Sequence, residues 1–278
     1  MALLRMDELL VAARRGKYAV GAFECWDSAN IGAIAAAAAR CNAPVIFQAT
    51  AVEYEPMGGP EALYRFVEFY VKKTGIAAAL HLDHGANLEQ VEACIAAGFT
   101  SVMLDASMLP FEENRDIARQ AAVIAHRHNV SIEAELGHVG GQEGGDGQSC
   151  LTDPDEAVRF VRETGIDCLA VAIGTVHGEY RGEPHIDLER LKTIAGRIDI
   201  PLVLHGGSGT PTDVLRRAIA LGIAKINICT DIHKAWLSGI ADAGKTLTPS
   251  VPGAFYRSAR ERIENKVAEL IGLFRPNR

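Results

Sequence analysis

AAALHLDHGANLEQVEACIAAGFTSVMLD (77–105) decides the fold, because a strand, a helix and a second strand follow one another inside it. Ala77–Leu82 is a short apolar run. Asn87 is a capping residue before LEQVEACIAA, whose apolar positions recur at helical spacing, and Gly98 ends the helix. Ser101–Leu104 is apolar again. Two apolar strands joined by one helix pair in parallel, with the helix as the crossover.

The unit recurs along the chain. Strand-like segments lie at Tyr18–Phe23, Pro44–Ala49, Ala77–Leu82, Ser101–Leu104, Val130–Leu136, Cys168–Ile173, Pro201–Leu204 and Ala224–Ile228. Helical patterns separate them, such as the face of Ile117, Ala121, Ile124 and Ala125. Eight units in 278 residues predict an α/β fold, a single (β/α)8 TIM barrel over 1–278 with a C-terminal helical extension. That extension runs from about Asp231 through a loop around Pro249 to Pro252 into a final helix, SARERIENKVAELIGLF. GHVGGQEGGDGQS (137–149) holds six glycines and predicts a mobile loop.

Composition narrows the function classes. With 48% hydrophobic and 23% charged residues the chain can bury a large core. A net charge of −7 argues against nucleic acid and membrane surfaces as partners, both being polyanions. The start, MALLRMDELLVAARRGKY, is an amphipathic helix rather than a leader, because Asp7 and Glu8 interrupt its apolar stretch. Six scattered cysteines without a CxxC pair predict reduced thiols and a cytoplasmic protein.

Functional groups of a parallel barrel collect where its strands end. His84, His177 and His205 stand at such ends, in HLDHG, GTVHG and LHGGSG. Three imidazoles from different strands leave zinc an open fourth position, although each alone could simply hydrogen-bond a loop. Asp105 and Glu135 end the fourth and fifth strands, and Glu133 shares a face with Glu135. Inward carboxylates call for a cation, a divalent metal or a basic side chain. Asp83 adjoins His84, placed either to pass a proton to a carbonyl oxygen or to orient a ligand. HGGSGTPTD and KINICTD, after the seventh and eighth strands, are candidate phosphate cradles. Lys225 suits a phosphate or a structural pairing.

With these motifs in order, the chain resembles the class II aldolases, which include fructose- and tagatose-bisphosphate aldolases. YAVGAF, PVIFQAT, HLDHG, SVMLDAS, FEEN, IEAELGHVGGQE, AVAIGTVHG, PLVLHGGSG and KINICTD span essentially its whole length. The resemblance implies reversible cleavage of a ketose phosphate to dihydroxyacetone phosphate and an aldehyde, through an enediolate that zinc stabilises. It implies that His84, His177 and His205 hold the zinc, and that Asp105 and Glu135 hold a second metal position. Asp83 then serves the aldehyde oxygen, and Glu143, on the glycine-rich loop, moves the proton of dihydroxyacetone phosphate. Gly178, Gly206, Gly207, Ser208, Asn227, Ile228, Cys229 and Thr230 match the pocket for that ketone and its phosphate. Val176, Gly178, Gly206 and Ser208 match backbone positions that hold a monovalent cation, Na+ or K+, in some members. Arg260 is similar to an arginine that reaches the far phosphate, often from a neighbouring subunit, so a homodimer or homotetramer is expected.

Two departures concern the acceptor half of the substrate site. Members usually have asparagine where Glu24 stands and serine where Thr50 stands. Thr50 keeps a hydroxyl, but Glu24 brings a carboxylate to a site for anions, or pairs with an arginine. A ketose bisphosphate such as fructose or tagatose 1,6-bisphosphate is the expected substrate, and an acceptor other than glyceraldehyde 3-phosphate is the alternative that Glu24 raises. A zinc hydrolase and a non-catalytic sugar-phosphate-binding barrel are the other readings; the paired phosphate loops weigh against the first, and the acids Asp83 and Glu143 against the second.

Overall fold

The computed structural model describes residues 3–141, 150–180, 182–246 and 252–275. Eight parallel strands close into a barrel in sequence order. They are β1 (Val20–Glu24), β2 (Val45–Ala49), β3 (Ala78–Gly85), β4 (Ser101–Leu104), β5 (Ser131–Leu136), β6 (Cys168–Val171), β7 (Leu202–Leu204) and β8 (Ile223–Ile228). The helices are α1 (Met6–Gly16), α2 (Ser28–Arg40), α3 (Ala51–Tyr54), α4 (Pro60–Thr74), α5 (Leu88–Ala97) and α6 (Phe111–Arg127). They continue as α7 (Pro154–Thr164), α8 (Leu188–Ala195), α9 (Thr212–Leu221), α10 (Thr230–Thr246) and α11 (Pro252–Phe274).

Each expected strand is present, with shifted ends. β1 begins and ends later than expected, at Val20 and Glu24, and β6 stops at Val171 rather than Ile173. β3 continues past Leu82 to Gly85, with a register shift against β4 between those residues. His84 therefore belongs to the strand, in a bulge that re-aims its side chain. The final helix begins earlier than expected, at Pro252. Asn87 caps α5 by accepting from the Gln90 amide at 2.9 Å, and Gly98 closes it at φ 106°, as the sequence predicts.

Both faces of every strand are covered, which is why the strands are apolar almost throughout. Phe23, Phe47, Leu80, Val102 and Ile132 face the helices, in a core they share with Ile34, Val67 and Phe160. The amino-terminal end is plugged by α1. Met6, Leu10 and Ala13 are fully buried there against Val20, Ile46, Ala79 and Ala170. α11 packs on α10, α2 and β1. It ends where the Phe274 carbonyl accepts from the Ala19 amide at 3.0 Å. No helix among the described residues is long and apolar enough to cross a membrane.

Candidate active site

Three histidines converge at the carboxyl end of the barrel. His84 comes from β3, His205 follows β7, and His177 lies in the segment after β6. Their ligand atoms lie within 4.8 Å of one another. His84 has φ 45°, a left-handed backbone that only a minority of residues without glycine's freedom adopt. Such strain persists where the surroundings impose it, and functional sites are common hosts. Gly141 pairs with His177, whose amide donates to the Gly140 carbonyl at 2.9 Å, so the start of the glycine-rich loop docks on this histidine.

The outer nitrogens of two of these rings are anchored by carboxylates. His84 Nδ1 meets Asp105 Oδ2 at 2.7 Å, and His205 Nε2 meets Glu133 Oε1 at 2.8 Å. With protons on those nitrogens, His84 Nε2 and His205 Nδ1 turn lone pairs toward each other across 3.1 Å. Two acceptors so placed need a cation between them. Tetrahedral zinc with Zn–N of about 2.0–2.1 Å sets its ligands roughly 3.3 Å apart, close to this separation. A carboxylate behind each imidazole is also the usual support of a metal-binding histidine. The residues fit zinc.

The charge balance agrees. Asp83, Glu133 and Glu135 are buried, and Asp105 is mostly so. Lys225, fully buried, answers one of them through a 2.9 Å contact with Glu133 Oε2, the structural pairing of the two roles open to it. Burial works against a charge on His84, yet the carboxylates of Asp83, Asp105 and Glu135 lift its imidazole to about 10. Burial, helped by the charge of Asp105, pushes the Glu135 carboxyl up to about 8. Burial would raise Asp105 too, but the bond and charge of His84 hold it well below the carboxylate range. Glu135 Oε1 accepts from the Val139 amide at 2.9 Å, while its buried Oε2 has no hydrogen bond. His84, Asp105 and Glu135 also form a donor set of their own, in keeping with a second metal position.

Beside the histidines is a pocket lined by Gln48, Asp83, His177, Gly178, Gly206, Ser208, Asn227, Cys229 and Thr230. Asp83 is held by two amides, Gln48 Nε2 at 3.0 Å from Oδ2 and Asn227 Nδ2 at 3.1 Å from Oδ1. Its carboxylate thus faces the pocket beside, rather than within, the histidine cluster. Gly206 has φ 67°, and a methyl group there would collide with the Val176 carbonyl, so only glycine lets the two loops meet. Gly207 donates to the Asn227 carbonyl at 3.1 Å, and Ser208 Oγ accepts from the Asp231 amide at the start of α10. These contacts lock the two candidate phosphate loops together. Ile228 is buried in the core.

Besides Gly207 and Ile228, three more of the expected substrate residues do not line this pocket. Thr50 caps α3 in a capping box with Glu53. Glu24 is buried at the end of β1, where Oε2 meets His233 Nε2 at 2.7 Å and accepts from the Cys229 thiol. Its basic partner is thus a histidine, not an arginine. Burial raises the Glu24 carboxyl against the bond from His233. Arg260, on α11, lines surface cavities with Tyr256, Tyr70 and Asp27. Glu143 lies outside the described residues. Gln48 and His233 escaped the sequence reading, and Glu133 entered it only as an inward carboxylate beside Glu135. Only Glu133 carried a signal, a charge two positions before Glu135 on the same face.

The family described as fructose-bisphosphate aldolase class-II matches residues 4–277. The fructose-bisphosphate aldolase of Geobacillus stearothermophilus is 45% identical over 247 residues, 87% of this chain and 86% of that protein. The 6-phospho-5-dehydro-2-deoxy-D-gluconate aldolase of Halalkalibacterium halodurans is 44% identical over 243 residues, 86% of this chain and 84% of that one. Among solved structures, the YdjI aldolase of Escherichia coli K12 superposes with a TM-score of 0.87 at 30% identity, covering 98% of this chain and 97% of its own. A match along the whole barrel, and relatives that are aldolases at this identity, make the chain a class II aldolase, a member of the class II fructose-bisphosphate aldolase family.

Proposed function

We propose that the protein is a zinc-dependent aldolase for a ketose phosphate, a bisphosphate such as fructose or tagatose 1,6-bisphosphate or a related ketose 1-phosphate. The products are dihydroxyacetone phosphate and an aldehyde. The observation that supports this most is the 3.1 Å approach of two carboxylate-backed imidazoles beside a pocket floored by two glycine loops. Zinc held by His84, His177 and His205 would supply Lewis-acid polarisation of the ketone carbonyl. The chain's own groups do the rest. Asp83, fixed by Gln48 and Asn227, exchanges a proton with the oxygen of the aldehyde half. Glu143 takes and returns the carbon-bound proton of the ketone half. Gly178, Gly206, Ser208 and Thr230 hold the phosphate by main-chain and hydroxyl groups. A monovalent cation at Val176, Gly178, Gly206 and Ser208 would add positive charge there. We take residues 1–278 to work as one domain, inside the cell, in a homodimer or homotetramer.

The test is release of dihydroxyacetone phosphate from candidate ketose phosphates, before and after chelation and in His205→Ala. Release that stops on chelation and returns with zinc supports the proposal. Full activity in thoroughly metal-stripped protein would refute it, and hydrolysis of the phosphate without carbon–carbon cleavage would point to a hydrolase. Offering dihydroxyacetone phosphate with a panel of aldehydes then identifies the acceptor.

A further inference from the structure

A second donor set lies outside the histidine cluster, where β1 meets the start of α10. Glu24, Cys229 and His233 each offer one ligand atom, all within 4.8 Å of one another. Cys229 and His233 are four residues apart across the first turn of α10, so both side chains lie on one face of it. Cys229 Sγ is 3.8 Å from Nδ1 and 3.9 Å from Nε2 of His233. Trp26 packs on the His233 ring at 4.9 Å between centroids and limits its rotation. Glu24 and Cys229 are buried, while the His233 side chain is 44% exposed. The set is therefore rigid on two sides and accessible on the third.

We propose that Glu24, Cys229 and His233 form a second divalent-metal site, selective for zinc-like ions. The mixture of thiolate, imidazole and carboxylate is one that zinc accepts and that calcium and magnesium, which prefer oxygen, do not. Tetrahedral zinc places a sulfur and a nitrogen ligand about 3.6 Å apart, near the separation found here. Glu24 Oε2 meets His233 Nε2 at 2.7 Å and accepts from the Cys229 thiol at 2.5 Å, so admitting the metal opens the first contact by roughly half an ångström and the second by roughly one. Binding releases the thiol proton and the proton shared by Glu24 and His233, so affinity rises with pH.

The site also accounts for a carboxylate buried where family members usually carry a neutral amide. Thiolate and carboxylate together cancel the charge of a dication, so the loaded site is neutral. Cys229 lines the substrate pocket as well, which puts the open coordination position near the pocket wall. A neutral metal with one free position suits a hydroxyl or carbonyl oxygen of the acceptor, so among the substrates proposed above the site favours a ketose 1-phosphate over the bisphosphates.

Cobalt(II) titration of the metal-stripped full-length protein tests this independently of the aldolase reading. Cobalt at the three histidines gives visible ligand-field bands without a sulfur contribution. A second bound cobalt should add a near-ultraviolet sulfur-to-metal charge-transfer band. His205→Ala should remove the first signal and keep the second; Cys229→Ser and His233→Gln should do the reverse, with circular dichroism confirming that each variant is folded. Absence of the charge-transfer band in folded wild-type protein would overturn the proposal. So would its persistence in Cys229→Ser, which would assign the sulfur to another cysteine.

Discussion

Glu133 answers three demands at once. It accepts from His205 Nε2, pairs with the buried Lys225, and lies 3.7 Å from both His81 Nε2 and Cys168 Sγ. Glu133→Gln keeps an acceptor for His205 but loses the charge that makes that bond strong. If the three histidines hold zinc as proposed, its affinity should fall about 10–100-fold, the usual cost of losing a carboxylate behind a metal-binding histidine. Competition against a chromophoric chelator measures it, and an unchanged affinity would show that His205 is oriented without Glu133. Glu133→Ala also strands the Lys225 charge in the core, which should cost about 3–5 kcal/mol in denaturant unfolding of the metal-free protein. At Glu24 the expectation concerns substrate. A carboxylate about 4 Å from a phosphate charge repels it by about 1–4 kcal/mol, depending on the local dielectric. While no metal occupies the set of Glu24, Cys229 and His233, that charge is uncompensated, and Glu24→Asn should raise catalytic efficiency on fructose 1,6-bisphosphate by roughly fivefold or more. If the wild type already reaches about 10⁴ M⁻¹s⁻¹ and the variant gains nothing, Glu24 has no part in choosing the acceptor.

α1 is tied to the barrel by polar contacts at its start as well as by its apolar face. Asp7 pairs with Arg5 at 2.9 Å and accepts from Ser131 Oγ at 2.7 Å. Burial would raise the Asp7 carboxyl, but the Arg5 and Ser131 bonds outweigh it and the net shift is downward. On acidification the unfolded chain takes up this proton first. The stabilisation is therefore complete above the ordinary carboxylate range and is lost as pH falls through that range toward the lower folded value. Asp7→Asn should be less stable than wild type near neutrality, and the gap should close below about pH 4. Parallel denaturant curves at neutral and acid pH give the comparison, and a gap independent of pH would remove Asp7 from the account. Most of the elements were legible because periodicity and caps are local: Asn87 and Gly98 bound α5 through contacts within a turn of themselves. What was not legible depends on depth and distance. Alternation puts Glu133 and Glu135 on one face, but only barrel geometry sends the deeper to Lys225 and the back of His205, and the higher toward the nitrogen of His205 that faces His84. Nor does any local pattern join Glu24 on β1 to His233 on α10. The extension of β3 to His84 was hidden for a similar reason, since its bulge is made by pairing with β4.

As a whole, the molecule leaves Arg260 away from the pocket of its own chain, beside Tyr256, Tyr70 and Asp27. If it reaches phosphate in a neighbouring subunit's site, Arg260→Ala and His205→Ala have complementary defects. Coexpressed at equal levels in a dimer, they should recover activity toward about a quarter of wild type, because half the dimers are mixed and each mixed dimer contains one intact site. No recovery from stable mixed dimers would confine Arg260 to its own chain. The same distribution explains which parts of the site the sequence revealed. The three histidines stand out by position, at a strand end or in the segment after one, whereas nothing local marks Arg260 on the outer helix α11.

The plug formed by α1 carries a kinetic corollary. With the barrel interior filled by Val20, Ile46, Ala79 and Ala170 and covered at its amino-terminal end by Met6, Leu10 and Ala13, the barrel is a cup and not a tunnel, and the pocket opens over one rim. If the ketone half rests on the glycine floor and the aldehyde half lies nearer that rim, departure is sequential: the aldehyde must clear before the ketone fragment can. In the cleavage direction dihydroxyacetone phosphate should then inhibit competitively against the ketose phosphate, and the aldehyde noncompetitively. On that arrangement the deep half is fixed in shape by the cup's walls, while the outer half opens toward bulk water. A chain lengthened on that side costs the core nothing, so variation in acceptor length is the direction in which this scaffold can diversify without refolding.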